Sequence, residues 1–168
     1  STISGATATT FYQLVVNKTA ATLADRKVTL GVNATISNAL TLTNGFIDAS
    51  TFNVVIPAGG TVTRGGSCSA DGATNGCFVS GKLQKNFAAS GSAQTRTFEV
   101  GSAGASLVAY APVAITLANV TTAGNILVST TEGDHPNLGT SGLNYTRSAN
   151  RYWTISNSGA VFSALAGN

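Results

Sequence analysis

Charged side chains are scarce in this chain. Asp, Glu, Lys and Arg make up 9% of its 168 residues, whereas an average soluble domain contains about 25%. The nine basic residues are scattered and form no cluster with interleaved aromatic side chains, which argues against nucleic acid as a partner. The composition also argues against disorder, because 43% of the residues are hydrophobic and can build a core. No apolar run is long enough to cross a bilayer, so we expect no membrane span.

Methionine is missing altogether, and histidine and cysteine are almost missing. The chain has no Met, one His and two Cys. Without Met at position 1 and without a signal peptide, the sequence suggests a mature or excised extracellular segment. Two Cys and a single His cannot supply a structural zinc site. We therefore expect no metal and no other cofactor.

The two cysteines lie close together in the segment GGSCSADGATNGCFVSG. The Gly, Asp and Asn residues between Cys68 and Cys77 allow the backbone to turn back, so we predict a disulfide between them. In the chain-entropy model, closing a loop of about ten residues stabilises the fold by roughly 2.5–3 kcal/mol. Two buried free thiols are the alternative. A disulfide would place the chain outside the cytoplasm, at the cell surface or in the extracellular space.

Helical periodicity is absent, and the periodicity of β-strands takes its place. From Val28 to Ile56, apolar residues alternate with Thr, Ser, Asn and Gly, as in strands with one buried face. Turn-forming residues interrupt this run at Asn38, at Asn44-Gly45 and at Ala49-Ser50. Further short strands follow, spaced by turn signals. The pattern predicts one all-β domain over residues 1–168, an antiparallel β-sandwich of jelly-roll type, with a short β-helix as the alternative.

The N-terminal segment carries apolar side chains at both odd and even positions. Thr10–Val16 reads TFYQLVV, which predicts a strand buried from both sides, and it follows a flexible arm. Residues 1–16 are therefore a candidate for an exchanged arm that enters the sheet of a neighbouring copy and builds a homo-oligomer or polymer by β-strand addition. The equal alternative is that Thr10–Val16 is the first strand of its own domain. The residues expected to carry assembly are Ile3, Phe11, Tyr12, Leu14, Val15 and Val16.

Candidate catalytic groups are few. There are six acids, namely Asp25, Asp48, Asp71, Glu99, Glu132 and Asp134. Glu99 is of most interest because it lies inside a predicted strand, but an outward position beside Lys or Arg is the favoured interpretation. His135 is the only histidine, so any Ser-His-Asp arrangement would have to use it. We predict no catalytic site.

The loop TEGDHP and the strand RYWTIS offer two binding hypotheses. Glu132 and Asp134 could supply oxygen ligands to calcium, but their spacing matches no defined calcium loop and an ordinary solvated turn explains them. Tyr152 and Trp153 could form a stacking platform for sugars. A lone Trp in a small β domain is more commonly a core residue.

Six phrases in a fixed order carry a family resemblance: TTFYQLVVN, LTLTNGFIDAS, FVSGKLQKNF, FEVG, YAPVAIT and RYWTIS. Together they resemble adhesin-like repeat modules of secreted, multi-module surface proteins of Bacteroidota-type bacteria. The resemblance extends from about Thr9 to Ser156, most of the chain. It implies export to the cell surface and a structural or adhesive role, and it brings no catalytic motif.

These observations favour a non-enzymatic extracellular building block. It would be a fibre or filament subunit, a surface-layer subunit or a module of a large adhesin. The alternative is a carbohydrate-binding module that recognises surface glycans through exposed aromatics. A polysaccharide-degrading enzyme on a β scaffold is the third hypothesis, and the sequence offers no cluster of acids to support it.

Overall fold

The computed structural model describes residues 1–103 and 108–166, which form an almost entirely β structure. The strands are β1 (Thr2–Ile3), β2 (Thr9–Asn17), β3 (Lys27–Leu30), β4 (Ala34–Ile56), β5 (Thr61–Arg64), β6 (Gly76–Phe87), β7 (Gln94–Phe98), β8 (Val100–Ala103), β9 (Val108–Tyr110), β10 (Val113–Thr122), β11 (Gly124–Glu132), β12 (Arg151–Ser158) and β13 (Val161–Ala166). Short 3-10 helices lie at Leu23–Asp25, Leu138–Thr140 and Tyr145–Arg147. No helix in the described ranges has the length and apolar character needed to cross a membrane. The predicted all-β class is confirmed.

The longest strand, β4, shows how the alternating sequence becomes structure. Its inward side chains are fully buried, among them Ile36, Leu40 and Val54. The backbone has positive φ at Gly45 (81°) and at Ser50 (51°), two of the positions where the sequence predicts turns. At Gly45 a side chain would collide with the carbonyl oxygen of Arg26, so glycine is required there. These two corners divide β4 into segments that pair with different neighbours.

The strands from β1 to β6, together with β8, pair in parallel. One column of paired residues runs through five strands, from Thr2 through Thr29, Asp48 and Ser80 to Gly101. A second column joins Leu14 of β2 to Leu40 of β4 and to Val62 of β5. Successive turns of the chain therefore lie on top of one another. These strands do not show the antiparallel pairing that we expected for a sandwich.

Antiparallel pairing begins at β9. Strand β9 pairs with β8, and β11 lies between β6 and β12. Strands β13, β10 and β7 form a separate three-stranded antiparallel sheet. One hydrophobic cluster joins the two sheets, because Leu117 and Val120 of β10 belong to the same cluster as Leu83 and Phe87 of β6. The core therefore lies between a large sheet that is mostly parallel and a small antiparallel one.

Strand β2 is buried on one face only, which corrects the expectation for Thr10–Val16. Val16 is buried and Phe11 and Leu14 are half-buried, whereas Tyr12 is 72% and Val15 63% exposed. We expected Phe11 and Val15 to share a face. They do not, because the pairing of β2 with β4 shifts register between Phe11 and Gln13, and a bulge of this kind reverses the alternation beyond it.

Candidate functional site

The predicted disulfide between Cys68 and Cys77 is present, with the two Cα atoms 5.8 Å apart. Arg64 holds the loop that the disulfide closes. Its Nε donates to the Cys77 carbonyl oxygen (2.9 Å), its Nη2 donates to the Ser69 carbonyl oxygen (2.6 Å), and its Cζ lies 3.6 Å from the centre of the Tyr110 ring. Arg64 therefore has a structural role in this loop.

Glu99 lies between β7 and β8 and is buried, so the expectation of an outward strand residue is wrong. The expected basic neighbour is there: Lys85 Nζ lies 2.6 Å from Glu99 Oε2 and also donates to the Thr97 carbonyl oxygen at 2.5 Å. Burial raises the pKa of Glu99 and lowers the pKa of Lys85, while the attraction between the two charges opposes both shifts. The ion pair with Lys85 therefore accounts for the buried position of Glu99.

The other acids do not gather into a site. Asp25 accepts a hydrogen bond from Thr22 Oγ1 (2.6 Å), and Asp48 forms an ion pair with Lys27 (3.4 Å). The backbone N–H of Ala73 donates to Asp71 (3.0 Å) and is the main reason that the pKa of this exposed carboxyl is lowered. Nowhere in the two described ranges do three His, Cys, Asp or Glu side chains come close enough together to hold a metal ion.

The loop between β11 and β12 encloses a cavity of about 360 Å³, which we call the loop pocket. An apolar part of its wall comes from Leu138, Leu143 and Ala149. Its polar lining comes from Asp134, His135, Asn144, Arg147, Ser148, Asn150 and Arg151. Asp134 and His135, which the sequence singled out, therefore lie in one cavity.

Several hydrogen bonds order the loop pocket. Asp134 Oδ1 accepts a hydrogen bond from Ser148 Oγ. His135 Nδ1 accepts one from the backbone N–H of Asn137 (3.1 Å), which assigns the ring proton to Nε2. The His135 ring meets the Tyr152 ring edge-on, with 4.9 Å between the ring centres. The His135 ring and several hydrogen-bond donors and acceptors therefore line an open cavity.

Trp153 is not a core residue. Its side chain is 40% exposed, and its indole Nε1 donates to the Ala111 carbonyl oxygen (2.9 Å). It lies two residues from Arg151 along β12. Because side chains alternate along a strand, Trp153 and Arg151 share a face. An exposed aromatic ring therefore follows the loop pocket along the strand.

The assembly residues lie in the chain's own sheet. Ile3 of β1 pairs with Leu30, and β2 pairs with residues 34–44 of β4. Of the strands described, only β4 pairs with β2 and only β11 pairs with β12. Each of these two strands therefore leaves one edge without a partner strand.

Both of these edge strands carry large exposed apolar side chains. They are Tyr12 and Val15 on β2, and Trp153 and Ile155 on β12. Beside Ile155 an apolar groove of about 200 Å³ opens between the two sheets. Its apolar walls consist of Ile115, Leu117, Ile126, Ile155 and Phe162. Unpaired backbone and apolar surface thus occur together on β2 and on β12. They also occur on β13, which pairs only with β10 among the described strands and carries Val161, 54% exposed.

Sequence reasoning missed Lys85 and Arg147. The sequence could have shown that Lys85 is buried, because it lies two residues from Leu83 and two from Phe87 and therefore on the same face of the strand. The position of Arg147 could not have been found, because the loop that brings it to the pocket has no periodic pattern.

Comparison with protein-family models, with curated proteins and with solved structures finds no significant match to this chain.

Proposed function

We propose that this protein is a non-enzymatic, extracellular structural subunit whose copies join edge to edge into a filament, surface layer or adhesin. The observation that carries the proposal is the pair of unpaired edges on β2 and β12, each with exposed apolar side chains. An unprotected edge strand is a template for pairing with another chain. Stable monomers usually blunt such edges with charged residues or proline. Neither occurs within Thr9–Asn17.

The proposed fold is a short parallel β-helix that continues into an antiparallel C-terminal part. The in-register columns of parallel pairs support the β-helix alternative over a pure sandwich. Strand β2 belongs to the first turn of such a helix. Its inner residues Phe11 and Leu14 stay half-exposed, as expected of an end that no further turn covers.

Pairing β2 of one copy with β12 of the next would satisfy both backbone edges. The two strands are similar in length, at nine and eight residues. Burying Val15 and Ile155 would contribute about 1.5–3 kcal/mol for each fully covered side chain, before ordering costs are subtracted. Because the two surfaces differ, the contact is head-to-tail and can repeat without closing, which gives a fibre.

An extracellular location is part of the proposal. The disulfide between Cys68 and Cys77 is compatible with secretion. The low charge and the resemblance to Bacteroidota-type surface modules support the same location. The resemblance brings no catalytic motif, and the unpaired apolar edges support assembly; for these reasons the proposed role is structural.

Electron microscopy and sedimentation of the purified protein test the assembly. We expect extended particles for the native chain and monomers for the variant Val15→Lys, because a lysine on the edge strand would have to be buried in the contact. The matched control is Ala58→Lys. It adds the same charge at an exposed turn position away from both edges and should assemble normally. Unchanged fibres from Val15→Lys, or a native chain that stays monomeric at high concentration, would refute the proposal.

A further inference from the structure

We infer that the loop pocket binds the carboxylate of an acidic sugar, a uronic acid within a glycan. The volume of the cavity, about 360 Å³, lies within the range of about 300–1,000 Å³ that is usual for ligand sites. Such sites combine an apolar wall with a few polar groups that fix orientation, as the loop pocket does. The inference can be tested apart from assembly, because the two pocket residues changed in the test, Arg147 and Leu143, lie outside both edge strands.

Arg147 supplies the charge that selects an anion. Arg151 is already engaged: its guanidinium donates to Thr130 Oγ1 (3.3 Å) and to Ser102 Oγ (3.0 Å), and Glu132 faces it across the β11–β12 ladder. The Arg147 guanidinium has no hydrogen bond or ion pair to any part of the chain that the structure describes. A planar guanidinium can bind a carboxylate through two parallel hydrogen bonds.

The lining also contains one carboxylate, Asp134, whose Oδ1 accepts a hydrogen bond from Ser148 Oγ. The other lining residues suit the rest of a sugar ring. His135 Nε2–H can donate to a hydroxyl, because Nδ1 is occupied by the Asn137 backbone N–H. The side-chain amide of Asn150 provides a donor and an acceptor. Leu138 and Leu143 offer an apolar surface to the ring's C–H groups, and Leu143 is 68% exposed.

Trp153 extends the site beyond one sugar. It shares a face of β12 with Arg151, and its ring is 40% exposed. The face of an aromatic ring can pack against apolar C–H groups while the polar atom of the ring keeps its hydrogen bond. In Trp153 the indole N–H donates to the Ala111 carbonyl oxygen. A chain of sugars could therefore place its acidic residue in the pocket and its next residue on the indole.

Calorimetric titration with a trimer of galacturonic acid tests the inference, with the neutral trimer of galactose as the matched ligand. We expect the acidic trimer to bind at least about tenfold more tightly, as charge-assisted hydrogen bonds predict. Arg147→Gln should weaken that binding by about tenfold or more. Lys82→Gln removes the same charge from an exposed position on β6 and should change nothing.

A second variant keeps the test independent of folding effects at Arg147. Leu143→Glu places a negative charge at the mouth of the pocket on a largely exposed position, and we expect it to abolish binding. Equal binding of the neutral trimer, or unchanged binding by Arg147→Gln, would overturn the inference. So would equally strong competition by acetate, which would show a general anion site, or by a peptide of three aspartates, which would show a peptide site.

Discussion

Two opposite charges occupy the core at Lys85 and Glu99. Both side chains are buried, and both pKa shifts come first from desolvation, which raises the pKa of Glu99 and lowers that of Lys85. Removing a charged group from water costs several kcal/mol, and an ion pair recovers this only in part. The pair is therefore expected to specify the packing of β6 against the β7–β8 connection more than to stabilise it.

A double-mutant cycle measures this balance. Lys85→Met and Glu99→Leu should each lower the free energy of unfolding by about 3–5 kcal/mol, because each leaves an unpaired buried charge. The double variant should be about as stable as the native chain or more stable, since apolar side chains then fill the site. Urea unfolding gives all four values. Effects of the two single changes that add up in the double variant would contradict this account.

The limits of sequence reasoning are visible at this pair. Phe78–Phe87 alternates, so its burial could be predicted, and the alternation itself puts Lys85 on the inner face between Leu83 and Phe87. Residue type suggested the opposite, because lysine is rarely buried without a partner. Glu99 lies between two strands, where no alternation fixes the direction of a side chain. Only the three-dimensional fold brings the two residues together.

Strands could be predicted as elements, but their partners could not. Alternation from Val28 to Ile56 predicts the inner face of β4 before Gly45 and after Ser50. Between these two corners the buried residues Ile47 and Ala49 lie at the opposite parity, and the interruption predicted at Asn38 is absent because β4 continues through it. It says nothing of whether a neighbouring strand runs parallel or antiparallel, since both have the same period. The segment SLVAYAPVAITL, residues 106–117, predicts a strand from the sequence alone, with Pro112 at an edge or a bulge. In the structure β9 ends before Pro112 and β10 begins after it, because proline has no backbone donor. Residues 106 and 107 lie outside the described part of the chain.

The bulge in β2 is a second feature that the sequence hides. The register shift after Phe11 places Tyr12 and Val15 among the exposed residues. Assembly could then occur in two ways. The copies could add β2 to a neighbour with the strand still in its own sheet, or the strand could leave its sheet and exchange.

A disulfide lock separates these two routes. Gln13 and Ala39 are paired across β2 and β4, and adjacent strands lie about 4.7–4.9 Å apart, within reach of a disulfide. The variant Gln13→Cys/Ala39→Cys should assemble after oxidation as the native chain does, because edge addition leaves β2 in place. Mass spectrometry confirms that the lock has formed, and electron microscopy measures assembly.

The control for the lock is Gln13→Ser/Ala39→Ser, which changes the same positions without a covalent bond. If the control assembles and the oxidised lock does not, the N-terminal arm has to leave its sheet. That result would replace edge addition by the exchange of residues 1–16.

At the scale of the whole molecule, the two edge strands that are proposed to meet, β2 and β12, are different surfaces of the large sheet. Strand β2 belongs to the parallel part, and β12 closes the antiparallel part beside the apolar groove. A contact between unlike surfaces has a direction. Two copies joined by it still present one free β2 edge and one free β12 edge, so growth continues.

Complementary charges test this direction. Val15→Lys alters only the β2 edge, and Ile155→Glu alters only the β12 edge. Each variant alone should stay monomeric, because every contact would bury one unpaired charge. In an equimolar mixture the two variants can alternate along the fibre. Half of the contacts then join two native edges, and the other half bring the introduced lysine near the introduced glutamate, a favourable cross-strand combination.

We therefore expect fibres from the mixture of Val15→Lys and Ile155→Glu, seen by electron microscopy and by sedimentation. The matched control is a mixture of Val15→Lys and Ile155→Lys, in which one of the two alternating contacts joins like charges. Because the other contact still joins two native edges, this mixture should stop at dimers. If the oppositely charged mixture assembles no further than the control, β2 does not meet β12, and the head-to-tail contact between these edges has to be abandoned.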